Sequence, residues 1–206
     1  LKYTKVLCLK SIFIFLVSSC GHGALEENKN GIVQPIDTVS QRINVGAQNL
    51  DQYLSLLLNK SVGIVGNQTS MIVQKHLVDS LLTLDVNIQR VFSPEHGFRG
   101  DADAGEKVGN STDLKTGLEV VSLYDKNKKP QIDQLKGIDI MLFDIQDVGV
   151  RFYTYISTLH YVMEACAENN IPLIVLDRPN PNGHYVDGPV LEMEFNSFVG
   201  MHPVPL

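Results

Sequence analysis

Four short, mainly apolar stretches in this chain each lead into residues able to do chemistry. Val62-Gly63-Ile64-Val65 is followed by Asn67-Gln68-Thr69-Ser70, and the run from Ile88 to Phe92 by Ser93-Pro94-Glu95-His96-Gly97-Phe98-Arg99-Gly100. The run from Ile138 to Phe143 leads into Asp144-Ile145-Gln146-Asp147, and Leu173 to Leu176 into Asp177-Arg178-Pro179-Asn180. One acid after a strand is as readily a helix N-cap as a functional group. Several acids at one rim point to a site, and paired carboxylates are what acid-catalysed glycosidic hydrolysis requires.

Glu95 is the leading catalytic candidate, because glutamate is a poor turn former yet stands here between Pro94 and His96-Gly97. Partial burial and the nearby Asp101, Asp103 and Glu106 would raise its proton affinity, as a proton donor needs. The bland alternative is a glutamate paired with Arg99. Asp144 and Asp147 are the candidates for a second carboxylate that stabilises an oxocarbenium-like state or activates water.

Substrate contacts are expected from Asn67, His96, Arg99, Gln146, Tyr153, Tyr155, Asp177 and Asn180, a mixture of amides, acids and aromatic faces suited to sugar hydroxyls and ring faces. Tyr153 and Tyr155 read equally well as packing at a helix start. Arg151 and Arg178 are candidates to hold a substrate carboxylate by two hydrogen bonds, or else to pair with a neighbouring aspartate. The histidines lack ligand spacing, and the acidic loop lacks the regular spacing of a calcium loop, so no metal and no cofactor is expected.

These residues need elements to carry them. Leu50, Tyr53, Leu54, Leu57 and Leu58 recur at helical spacing, and further helices fit residues 71–84 and 153–169. Strands are expected at 62–65, 88–92, 119–124, 138–143 and 173–176. Continuous apolar strands alternating with helices predict an α/β fold, a Rossmann-like, doubly wound, mostly parallel sheet with helices on both faces. Ligands in such sheets bind beyond the carboxyl ends of the strands, where the acids lie.

The formal charge of −6 over 206 residues excludes the basic footprint of a nucleic-acid partner. Lys2, Lys5 and Lys10 precede the apolar run 12–17, too short to span a bilayer, and Val17-Ser18-Ser19-Cys20 resembles a lipobox. Residues 1–19 are therefore expected to be a lipoprotein signal peptide, Cys20 the lipidation site, and 20–44 a lipid-anchored tether. The expected location is the cell envelope, anchored to a membrane, facing the periplasm or the outer surface. Removing 1–19 takes away three lysines and no acid, so −6 becomes −9. Cys166 reads as a small buried residue on a helix.

The blocks Ser93 to Gly100 with Asp101-Ala102-Asp103-Ala104-Gly105-Glu106, Asp144 to Gly149 with Arg151-Phe152-Tyr153-Thr154-Tyr155, and Asp177 to Pro181, in this order, resemble the exo-β-N-acetylmuramidases of the NamZ type. The resemblance runs from about residue 45 to the end. It implies a Rossmann-like catalytic domain over 45–206, a smaller carboxyl-terminal domain missing from this chain, and a site in the cleft between them. It also implies release of terminal N-acetylmuramic acid from the non-reducing end of peptidoglycan fragments or muropeptides, with catalysis attached to Glu95. The competing reading is a lipid-tethered protein that binds muropeptides without cutting them. A nucleotide-binding enzyme is disfavoured, since Gly66-Asn67-Gln68-Thr69 is not a glycine-rich phosphate loop.

Overall fold

The computed structural model describes residues 43–100 and 109–206. The expected signal segment, Cys20, nearly all of the tether and the acids Asp101, Asp103 and Glu106 lie outside the described residues. Among the described residues no helix is long and apolar enough to cross a membrane.

In chain order the main elements are α1 (Leu50–Leu57), β1 (Val62–Gly66), β2 (Met71–Ile72), β3 (Lys75–His76), α2 (Leu77–Leu82) and β4 (Ile88–Ser93). They continue as β5 (Ser111–Thr112), β6 (Glu119–Ser122), α3 (Ile132–Leu135), β7 (Ile140–Asp144), α4 (Tyr155–Glu168) and β8 (Leu173–Val175). Six strands form one sheet in the order β5-β6-β4-β1-β7-β8, parallel except for β5. The parallel strands thus run outward from β1 in two directions, which makes the α/β sheet doubly wound and puts the point of reversal between β1 and β7.

Successive side chains point to opposite faces of a strand, and this sequence uses both. Val62, Ile64, Val91, Val120, Ile140 and Leu142 pack with Tyr53 and Leu57 of α1 and Leu77, Val78 and Leu81 of α2. Val65, Phe92, Val121, Met141 and Phe143 pack with Leu135 of α3 and Tyr155, Val162, Ala165 and Cys166 of α4. Every one of these is buried, which is why the strands read as largely apolar runs, β4 being interrupted by Gln89 and Arg90. The spacing 155, 162, 165, 166 keeps one stripe of α4 on the sheet. Asn170, with φ of 56°, and Pro172 then stop the helix.

The sequence places a helix over 71–84, and here the structure differs. Residues 71–76 form the antiparallel hairpin β2/β3, with Val73 left-handed at φ 56°, and α2 occupies only 77–82. His76 caps it: its Nδ1 accepts from the Val78 N–H. Ser70 O accepts the Leu77 N–H, so the hairpin is pinned at its base. The third expected strand ends two residues early, where Asn110 Oδ1 accepts the Ser122 N–H and Asn127 Nδ2 donates to the Ser122 carbonyl. The edge strand β5 and the single-turn α3 carry too few residues to show a period.

Candidate active site

The carboxyl ends of β1 and β7 lie side by side, and their polar residues interlock. Asp144, with no exposed surface, receives two hydrogen bonds from Arg178, Nε to Oδ1 at 2.6 Å and Nη2 to Oδ2 at 2.9 Å. Arg178 Nη2 also donates to the Met71 carbonyl at 3.0 Å. Burial pushes the Asp144 carboxyl up and the guanidinium pulls it back. Asp144 is expected as the second catalytic carboxylate and Arg178 as a holder of a substrate carboxylate; in the structure each binds the other, Asp144 fully enclosed and the Arg178 side chain 7% exposed.

Asn67, also without exposed surface, is held on all sides. Its N–H donates to Ser70 Oγ at 3.0 Å, and Ser70 in turn donates to the Asp144 carbonyl. Its carbonyl accepts from His76 Nε2 at 2.9 Å; because His76 Nδ1 already accepts, Nε2 carries the proton. Burial lowers the pKa of this imidazole and keeps it neutral. The Asn67 amide oxygen accepts from the Thr69 N–H and hydroxyl, at 2.9 and 2.6 Å, and its Nδ2 donates to the Tyr155 hydroxyl at 3.0 Å.

Glu95 lies beyond β4 in a loop built differently. Phe98 is buried edge-on against His76, with ring centroids 4.7 Å apart. Arg99 is gripped by Asp79 and Asp113 at 3.0 and 2.7 Å. Burial opposes both carboxylates, but hydrogen bonds from Arg99, with Lys115 for Asp79 and Thr116 for Asp113, lower both pKa values, that of Asp113 to about 2. Arg99, expected as a substrate contact, instead has Nε and both terminal nitrogens on Asp79 and Asp113 and anchors the loop. What the anchor leaves half-exposed is Glu95 and His96, the latter left-handed at φ 72°. Ser93 Oγ, buried at the base of this loop, has no partner.

The charge of Glu95 reaches two phenols. Together with a hydrogen bond, it raises the pKa of Tyr124. Tyr155 is raised to about 12 by burial first, then by Tyr153, with the Glu95 charge adding to it. Tyr153 stands edge-on to Tyr155 with centroids 5.0 Å apart and is 40% exposed. Tyr124 escaped the sequence reading, though its place two residues past β6 sets it at the same rim. A hollow of about 250 Å³ lined by Asn110, Ser122, Tyr124, Lys126 and Asn127 adjoins it. A larger one of about 430 Å³, between α3 and Asn169-Ile171, lies at the amino ends of the strands, away from this chemistry.

The remaining candidates organise loops. Gln146 donates from its backbone to Thr69 Oγ1 at 2.9 Å and from Nε2 to the carbonyls of Asp147 and Pro179. Asp147 is half-buried, accepts the Val148 N–H at 2.8 Å, and is raised by burial. Asn180 closes a turn onto the Asn182 N–H and packs on Gly149, where a Cβ would sit 2.1 Å from its Nδ2. Asp177 is exposed, and its carbonyl takes the Gly46 N–H. Arg151 Nη1 donates to the carbonyls of Pro189 and Val204, tying down the segment that ends the chain.

Residues 62–206 match the family described as exo-β-N-acetylmuramidase NamZ, N-terminal. The chain belongs to this family. It is 45% identical over 202 residues to the peptidoglycan β-N-acetylmuramidase NamZ of Bacillus subtilis, covering 96% of the chain and 49% of that protein. Crystal structures of two DUF1343-family proteins of Bacteroides fragilis superpose with TM-scores of 0.70 and 0.72 at 46% and 42% identity. Those matches cover 79% and 80% of this chain and 42% of each of theirs. The chain thus spans about half the length of the NamZ relatives it matches.

Proposed function

We propose that the protein is a glycoside hydrolase that releases terminal N-acetylmuramic acid from the non-reducing end of peptidoglycan fragments, in cell-wall turnover. The observation that carries the reading is Glu95, a half-exposed carboxyl past the end of β4 whose charge reaches the phenols of Tyr124 and Tyr155, at the rim where doubly wound sheets bind ligands. The name of the B. subtilis relative supports the substrate. Glu95 gives its proton to the glycosidic oxygen as the bond breaks. Asp147, which accepts backbone amides, takes the second-carboxylate role that Asp144 is too enclosed to fill. Tyr153 offers an exposed ring face to the sugar, and Arg151, engaged through one nitrogen only, is the arginine left to meet the lactyl carboxylate.

The test is Glu95→Gln in the intact protein. Release of N-acetylmuramic acid from an aryl β-muramide should fall by roughly 10²–10⁴ while muropeptide binding persists. Turnover near wild type would refute the assignment. An equal failure to cut by both proteins, with binding retained, would favour capture without hydrolysis.

The envelope location belongs to the same proposal. Cys20 is the acylation site and residues 21–44 the tether, an arrangement that Val17-Ser18-Ser19-Cys20 supports. An alkyne-tagged fatty acid should label the protein in cells and leave Cys20→Ser unlabelled; equal labelling of both would remove the anchor.

A further inference from the structure

Hydrogen bonds have a direction, and around Asn67 every direction is fixed by its neighbours. A backbone N–H can only donate, so the Gln146 N–H bonded to Thr69 Oγ1 leaves the Thr69 hydroxyl hydrogen free to donate elsewhere. It donates to Asn67 Oδ1 at 2.6 Å, and the Thr69 N–H donates to the same atom. Two donors on one atom identify it as the amide oxygen, which turns the amide nitrogen toward Tyr155. That nitrogen too can only donate, so the Tyr155 oxygen accepts at 3.0 Å. The Tyr155 hydrogen is then left for the other side of the phenol, where Tyr153 lies with its ring centroid 5.0 Å away.

We infer that Thr69 and Asn67 are positioning residues that fix Tyr155 as an obligate hydrogen-bond donor toward Tyr153 and the rim. The inference rests on the glycosidase reading for its consequence and on geometry for its existence. Nothing about it depends on the far loops. Asn67 is fully buried, its backbone is clamped by Ser70 and His76, and Tyr155 is 5% exposed, so none of the three can turn over without breaking several bonds at once. The phenol, raised to about 12, stays neutral across the working range and keeps its hydrogen. A donor held in place before substrate arrives needs no reorganisation as charge develops at the reacting atoms, and that is where such a group lowers a barrier.

The chain of donors can be cut or reversed with small changes. Thr69→Val keeps the shape and removes the hydroxyl; Thr69→Ser restores the hydroxyl and removes only the methyl. Asn67→Asp puts an oxygen where Nδ2 stands, so that an ionised Asp at 67 draws the Tyr155 hydrogen to itself, whereas a protonated one donates as the amide did. The groups facing position 67 are neutral His76 from β3, Tyr155 from α4 with Glu95 beyond it, and the closed Asp144–Arg178 pair from β7 and its neighbouring loop.

In the intact protein, kcat on an aryl β-muramide should fall roughly 10- to 100-fold in Thr69→Val with KM little changed, and return to within about threefold of wild type in Thr69→Ser. Asn67→Asp should gain activity as pH falls, an extra limb absent from the wild-type profile. The ¹³Cζ resonance of Tyr155 in tyrosine-labelled protein should move in Thr69→Val and Asn67→Asp and stay in place in Thr69→Ser. Unchanged kcat and an unmoved resonance in Thr69→Val, or equal losses in Thr69→Val and Thr69→Ser, would overturn the inference. Should wild type itself cut no muramide, the proposed function fails, and the Tyr155 resonance alone then decides the inference by the same two patterns.

Discussion

Acids stand at the ends of both β7 and β4, yet the two strand ends are built for opposite purposes. At β7 the carboxylate of Asp144 is wholly enclosed, both oxygens taken by Arg178, and the loops around it are stitched by Thr69, Ser70 and Gln146. At β4 the bonded arginine is Arg99, set behind the loop with Asp79 and Asp113, and Glu95 is left half-exposed with phenols beside it. Counting carboxylates at a sheet's rim therefore does not separate these two. Their partners do: Asp144 is closed against a guanidinium, whereas among the described residues no cation pairs with Glu95.

The largest effect expected from this contrast is on stability at β7. Arg178→Met should leave Asp144 buried and unpaired and cost about 3–5 kcal/mol in urea unfolding. The double change Arg178→Met with Asp144→Leu should recover much of that, since an apolar pair can replace a buried ion pair. A single-variant loss under about 1 kcal/mol would mean the pair behaves like a surface one, and the contrast would collapse. Glu95→Gln should give the mirror image, abolishing most turnover while shifting stability by no more than about 0.5 kcal/mol.

The fold was legible because the pattern that specifies it is local. Val62 to Val65 and Leu173 to Leu176 carry no polar side chain, and such strands belong to a sheet covered on both faces. The hairpin at 71–76 was not legible. Met71, Ile72 and Val73 look helical beside Leu77, Val78 and Leu81, and what ends the pattern is the bond from Leu77 N–H to the Ser70 carbonyl with His76 as cap. In the candidate site the sequence pointed to Glu95, Asn67 and Tyr155 as neighbours of the rim. It could not separate arginines that face solvent from those that do not. Arg99 and Arg178 find their aspartates 14 to 34 positions away along the chain, and no spacing rule reaches that far.

Acid should act on the β4 anchor. Burial would raise Asp113, but Arg99 and Thr116 hold it at about 2, below its unfolded value of 3.8. A depressed carboxyl contributes stability that is complete above the unfolded value and lost as pH falls through the folded one. Asp113 should thus add about 2 kcal/mol above pH 4, declining toward pH 2. Asp113→Asn should flatten the urea midpoint over that window by this amount, with Asp79 keeping a smaller slope of the same sign. An unaltered slope would show that Arg99 is not the anchor the loop relies on.

The smallest effect concerns where each strand end accepts a left-handed residue. In the loop after β7 it is Gly149, φ 70°, with Asn180 lying where a Cβ would go. In the Glu95 loop His96 at φ 72° precedes Gly97 at φ 76°, and a side chain in that conformation costs an ordinary residue about 1 kcal/mol. Gly149→Ala should therefore destabilise by about 1–2 kcal/mol, part of it relieved by Asn180→Ala, since the contact goes and the strain stays. His96→Gly should leave stability unchanged or raise it by less than about 1 kcal/mol, because relief of strain offsets the added freedom of the unfolded chain. Strain kept at a reactive rim has a use when the side chain it carries is needed there, so His96→Gly should lose turnover on the muramide while the unfolding midpoint holds. A His96→Gly protein that is destabilised and fully active would place the strain on the wrong side of the comparison and return His96 to the scaffold.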